Sequence, residues 1–171
     1  AARGGGRARE GSLSLAASPS RLRQYECKSR EVSHISDRKN LVLVAEDNLI
    51  NQKVIRSMIK RLKLYEIELV PDGKQARDYV LANHGQIMCV LMDLHMPEMD
   101  GIDACRAIRA WEQRVGLAKL PVVALTADVL DSTRETCMTA GMDMFATKPV
   151  KLDRLKAILS KYFEEQSSGS Q

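Results

Sequence analysis

Five short apolar runs punctuate the chain between residues 41 and 147, and each is followed by residues with helical spacing. Leu41-Val-Leu-Val-Ala45 mixes β-branched residues with Leu and reads as a strand buried on both faces. After it, Ile50, Val54, Met58 and Leu62 recur every four residues, which predicts a helix with that stripe turned inward. Glu66–Val70 predicts a second strand, closed by the turn Pro71-Asp72-Gly73. Lys74–His84 predicts a helix burying Ala76, Tyr79 and Val80. Ile87–Met92 is the third strand, ending at Asp93, and Gly101–Arg114 a helix carrying Ile102, Cys105 and Ile108. Pro121–Leu125 is the fourth strand, and Ser132–Ala140 a weaker helix stopped by Gly141. Asp143–Thr147 is the fifth strand, and Leu152–Phe163 a last helix with Leu155, Ile158, Leu159 and Tyr162 facing inward.

Strands alternating with helices at this spacing predict an α/β fold, a single parallel sheet with helices on both faces. Right-handed crossovers leave few strand orders, and the doubly wound order 2-1-3-4-5 is the natural one for five strands and five helices. Sites in such sheets lie beyond the carboxyl ends of the strands, at the topological switch point. Chemically capable residues should therefore follow strands one, three, four and five.

Composition and charge set the surroundings of that core. The chain has 171 residues, 44% of them hydrophobic and 28% charged, which suits one domain and a tail. The longest apolar run, Ile87 to Met92, falls well short of the ~18 residues of a membrane span. Cys27, Cys89, Cys105 and Cys137 are too scattered for a zinc site and read as reduced thiols, pointing to a cytoplasmic domain whose parent protein can be membrane-anchored. No signal peptide opens the chain. Formal net charge is +4, but residues 1–40 hold nine Lys or Arg against four acids, leaving the rest of the chain at −1. The leader lacks interleaved aromatics and reads as a basic, disordered linker, so no nucleic acid is expected on the globular part. The domain spans 41–163, and 164–171 reads as a disordered C-terminal tail.

The strand ends carry complementary chemistry. Glu46 and Asp47 follow strand one, Asp93 ends strand three, Thr126 follows strand four and Lys148 follows strand five. Three converging carboxylates repel one another and call for a cation. Oxygen ligands without Cys or His select a hard ion, and Mg²⁺ is the expected one. Lys148 supplies a mobile positive charge suited to a phosphate oxygen, and Thr126 a hydroxyl. Together they point to phosphoryl chemistry with Asp93 as nucleophile. No nucleotide-binding glycine loop occurs, so the donor is expected to be a phosphohistidine on a partner rather than bound ATP.

These segments resemble the response-regulator receiver domain. The resemblance rests on Val44-Ala-Glu-Asp-Asn48 with Asn51-Gln52, on Met92-Asp-Leu-His-Met-Pro-Glu-Met-Asp-Gly101, on Ala124-Leu-Thr-Ala127, and on Gly141-Met-Asp-Met-Phe-Ala-Thr-Lys-Pro149. It spans about residues 41–163 and is strongest to receivers at the C-terminus of plant and fungal hybrid sensor histidine kinases. It implies the flavodoxin-like receiver fold and a phosphoacceptor in a multistep His–Asp phosphorelay, not an enzyme. Asp93 would be the phosphoacceptor. Glu46, Asp47, Asp93 and the backbone carbonyl of His95 would hold Mg²⁺. Thr126 and Phe145 would form the switch, and Lys148 would pair with the phosphoryl group. The implied partners are a histidine-phosphotransfer protein and an upstream histidine kinase domain. The family's Lys-Pro peptide, here Lys148-Pro149, is typically cis.

Rival readings accompany each feature. Glu46 and Asp47 could simply cap the first helix, since carboxylates favour helix N-termini. Asp93 could be an ordinary turn residue. The histidines His34 and His84 have no partner pattern, and Cys137 is expected to be partly exposed. On the first helix Asn51, Ile55 and Ile59 lie outside the inward stripe and are the expected partner face, with core packing as the competing reading for the two isoleucines. At the level of function, the rivals are a pseudo-receiver serving only as an interaction module, a Mg²⁺-dependent phosphohydrolase, and a nucleotide or flavin binder. The phosphohydrolase would need an acid where His95 stands. The nucleotide binder would need a first loop that does not repel anions as Glu46-Asp47 does.

Overall fold

A computed structural model of the chain describes residues 40–127 and 130–168. Its elements alternate as β1 (Leu41–Ala45), α1 (Leu49–Leu62), β2 (Glu66–Val70), α2 (Gly73–Asn83), β3 (Ile87–Asp93), α3 (Gly101–Val115), β4 (Val122–Thr126), α4 (Asp131–Thr139), β5 (Met144–Thr147) and α5 (Leu152–Ser168). The five strands are parallel, in the order β2-β1-β3-β4-β5. The doubly wound α/β expectation is thus met.

Alternation along each strand divides the core in two. Leu43 and Ala45 of β1, Val90 and Met92 of β3, and Val122 and Ala124 of β4 meet Ala76 and Val80 of α2, Ala104, Cys105 and Ile108 of α3, and Cys137 of α4. Val42, Val44, Leu91, Val123, Leu125 and Ala146 point the other way and meet Ile55 and Ile59 of α1 and Leu155, Ile158, Leu159 and Tyr162 of α5. Two covered faces explain why β3 is buried along its whole length. Each fully buried Val, Leu or Ile stabilises the fold by about 1.5–3 kcal/mol.

Local signals set the helix ends. Asn48 caps α1, its side-chain oxygen accepting from the Ile50 and Asn51 amides at 2.8 and 3.3 Å. Asp100 caps α3 through the Asp103 amide, and Gly116 ends it in the left-handed conformation with φ 72°.

Three expectations need correction. On α1 the inward residues are Ile55 and Ile59, whereas Ile50 and Val54 are 71% and 45% exposed. Residues four apart advance by about 40° around the helix at each step, so a stripe of four such residues walks from solvent toward the core. Only Met58 and Leu62 at its far end pack against the core. Cys137 is buried, not exposed. Helix α5 runs to Ser168, past the expected end at 163, because Gly169 is the first helix breaker after it. The expected linker over 1–40, with Cys27 and His34, lies outside the described residues apart from Asn40.

Candidate functional site at the carboxyl ends of the strands

The register brings the strand ends level. Ala45 pairs with Met92, Asp93 with Leu125, and Thr126 with Thr147. Glu46, Asp93, Thr126 and Lys148 therefore gather at one edge of the sheet, as the switch-point rule requires. Glu46, Asp93 and Thr126 are buried, while Asp47 is exposed.

Lys148 joins the two buried acids. Its Nζ donates to Asp93 Oδ2 at 2.5 Å and stands 2.6 Å from Glu46 Oε2. The second contact is an ion pair to a buried carboxylate oxygen. Burial pulls the Lys148 ammonium toward deprotonation, but the Asp93 and Glu46 carboxylates outweigh it and hold its pKa above 10.5.

The remaining contacts fix the loops. Glu46 Oε1 accepts from the Asn51 side-chain amide at 2.9 Å, and the Glu46 carbonyl accepts from the Gln52 side-chain amide at 2.6 Å. Asp93 Oδ1 accepts from the His95 backbone amide at 3.2 Å, while the His95 side chain is exposed. The Lys148 amide donates to the Thr126 carbonyl at 2.7 Å, and the Lys148-Pro149 peptide is cis. Phe145, half-buried on β5, lies under the Arg134 guanidinium of α4, 5.0 Å from its ring centre. In the loop between Asp93 and Gly101, Glu98 adopts φ 64° and the Met99 amide reaches back to the Pro97 carbonyl at 2.7 Å, a strained three-residue turn.

Glu46, Asp47 and Asp93 each offer an oxygen within 4.8 Å of the others. Three carboxylates so close can share one hard divalent ion. Buried Glu46 Oε2 already meets the Lys148 ammonium at 2.6 Å, which fits a carboxylate cluster arranged to receive positive charge. The capping rival for Glu46 and Asp47 fails, since Asn48 performs that task.

The partner-face expectation changes more. Ile55 and Ile59 are 5% and 0% exposed and belong to the core. Asn51 is half-buried and holds Glu46. The exposed apolar residues of α1 are instead Leu49, Ile50 and Val54. Val54 lines a groove of about 320 Å³ with Pro149 and Val150, and its floor reaches Glu46 and Lys148.

Sequence reasoning also missed a buried network at the far end of the sheet. Glu112 accepts from the Arg109 guanidinium at 2.8 Å and the Leu120 amide at 2.8 Å, and meets His84 Nε2 at 3.1 Å. The Cys105, Ile108, Glu112 spacing was the available signal, because it puts Glu112 on the inward stripe of α3.

Comparisons with known proteins agree with this geometry. The response regulator receiver domain pattern matches residues 42–160. The chain is 39% identical over 124 residues to the osmosensing histidine protein kinase SLN1 of Saccharomyces cerevisiae, covering 71% of this chain and 10% of that protein. It is 31% identical over 159 residues to histidine kinase 2 of Arabidopsis thaliana, covering 83% of this chain and 13% of that protein. It is 35% identical over 120 residues to the hybrid signal transduction histidine kinase M of Dictyostelium discoideum, covering 70% and 5%. The chain thus spans a small fraction of the curated relatives it matches.

Among solved structures, it resembles the receiver domain of the Pseudomonas aeruginosa sensor histidine kinase PA1611 with a magnesium ion in its active-site cleft. The identity is 38% and the TM-score 0.63, with 73% of this chain and 98% of that one covered. It also resembles the Ssk1 receiver domain crystallised with the yeast histidine phosphotransfer protein Ypd1. There the identity is 29% and the TM-score 0.69, with coverage of 75% and 92%. With its sheet order, its acidic switch-point cluster and a family pattern covering most of its length, the chain belongs to the response regulator receiver domain family.

Proposed function

We propose that this domain accepts a phosphoryl group on Asp93 in a Mg²⁺-dependent, multistep His–Asp phosphorelay, exchanging it with a histidine-phosphotransfer protein. The observation that carries this reading is the cluster of Glu46, Asp47 and Asp93 with Lys148 bridging the two buried acids. The resemblance to kinases such as SLN1 supports an origin at the end of a cytoplasmic part of a hybrid histidine kinase, downstream of a kinase domain. In this reading the domain is an acceptor rather than an enzyme. No helix among the described residues is long and apolar enough to cross a membrane.

The chain's own groups divide the work. Asp93 attacks as the nucleophile. A bond forms between an Asp93 oxygen and phosphorus as the phosphorus–nitrogen bond of the donor breaks, and the leaving imidazole keeps the electron pair. Glu46, Asp47, Asp93 and the backbone carbonyl of His95 would hold Mg²⁺, which would supply positive charge to offset that on the transferred group. Lys148 exchanges its contact with Asp93 for one with the phosphoryl oxygens. The Thr126 hydroxyl binds another of those oxygens, and Phe145 turns into the space so freed. The exposed patch of Leu49, Ile50 and Val54, beside the groove leading to Lys148, takes the partner in place of the buried Ile55 and Ile59.

Acetyl phosphate, a small donor, tests the reading without any partner. The chain should take up phosphoryl groups with Mg²⁺ and fail to do so with a chelator, and Asp47→Ala should lose the metal response. Uptake unaffected by the chelator contradicts the metal's role, and no uptake at all favours a pseudo-receiver.

A further inference from the structure

The outer face of α1 carries a charge pattern that helix stability does not explain. The helix holds Lys53, Arg56, Lys60 and Arg61 without a single Asp or Glu, and Lys63 caps its end. All five cations are exposed, and among the described residues none takes part in an ion pair. Lys60, Arg61 and Lys63 stand at the C-terminus, where the helix dipole favours positive charge. Lys53 and Arg56 stand in the middle of the helix, outside the last turn where that effect acts. Spacings of three and four residues also make Lys53, Arg56 and Lys60 surface neighbours, so like charges repel along the row. A surface shaped for solubility alone would intersperse both signs.

These cations flank the apolar end of the same helix, where Leu49 and Ile50 are 68% and 71% exposed. We propose that the α1 cations select a phosphotransfer partner with an acidic docking face, steering it so that its phosphohistidine reaches the Asp93 site. The inference rests on the phosphorelay reading above and adds the partner's charge to it. The apolar residues supply desolvated contact, while the cations set the rate of productive encounter and the choice among partners. Their reach is about one Debye length, so the effect fades with added salt.

The test compares the wild-type chain with a Lys53→Glu/Lys60→Glu double variant. Phosphoryl transfer is timed from a panel of phosphorylated histidine-phosphotransfer proteins graded by the net charge around their histidine. At low salt the variant should receive phosphoryl groups roughly tenfold or more slowly from acidic-faced members, with a flattened salt dependence. Acetyl phosphate should label both chains equally. If it labels neither, the phosphorelay reading fails. If it labels both and transfer ignores charge reversal and salt, the partner inference is overturned while that reading stands. Binding to phosphatidylserine vesicles that the variant loses, with transfer rates unchanged, assigns the cations to an anionic membrane and equally overturns it.

Discussion

A Cβ on Gly101 would fall 2.1 Å from the carbonyl oxygen of Asp93. The first residue of α3 thus lies directly against the backbone of the proposed acceptor, and only glycine allows the approach. Its amide completes the arrangement by donating to the Leu94 carbonyl at 3.0 Å. Gly101→Ala must push α3 away from β3. The expected loss is about 1–3 kcal/mol, seen as a lowered thermal unfolding midpoint, together with slower uptake from acetyl phosphate. A variant with wild-type stability and uptake would show that the contact does not position Asp93.

Glu98 predicts the opposite sign. Its φ of 64° is costly for a residue with a Cβ. Glu98→Gly should raise stability by about 0.5–1 kcal/mol in urea unfolding, and Glu98→Val should lower it.

Helix α1 separates core from surface. Ile59→Ala should destabilise by about 2–4 kcal/mol, since its side chain is fully buried among Val42, Val44 and the α5 residues. Ile50→Ala should change stability by less than about 0.5 kcal/mol. It should instead weaken transfer from a phosphorylated phosphotransfer protein. Equal destabilisation by both would contradict the assignment of the two faces.

How legible these features were depends on the kind of signal. The strand order and the meeting of Glu46, Asp93, Thr126 and Lys148 at one edge follow from apolar runs ending in polar residues, a pattern one residue deep that leaves little freedom. The face of α1 was harder, because Ile50, Val54, Ile55 and Ile59 spread over about half of the helix circumference and four-residue spacing drifts around it. The Glu112 network was only partly legible, since the inward stripe of α3 marks Glu112 but not its partners. Arg109 and Asp143 look like solvated charges in sequence, and only the fold brings the Arg109 guanidinium against buried Glu112 and exposed Asp143. Likewise His84, which has no neighbouring partner in sequence, finds Glu112 across 28 residues.

Alkaline pH should weaken the fold. Burial pushes the Cys89 thiol up from 9.0 to about 12. Lys148 is also held above its usual range. Between pH 9 and 12 the unfolded chain releases protons that the folded chain retains, so stability falls as pH rises. Urea midpoints should decline above pH 9, and Cys89→Ala should soften the decline between 9 and 12. A decline of the same steepness in the variant would remove Cys89 as its cause.

The central claim is that Asp93 itself becomes an acyl phosphate. After incubation with acetyl phosphate and Mg²⁺, borohydride reduction should convert the phosphorylated aspartate to homoserine, which peptide mass mapping locates. Conversion at position 93 in the wild-type chain, and none anywhere in Asp93→Asn, is the expected result. Homoserine at Glu46's neighbour Asp47, or undiminished labelling of Asp93→Asn, would contradict it.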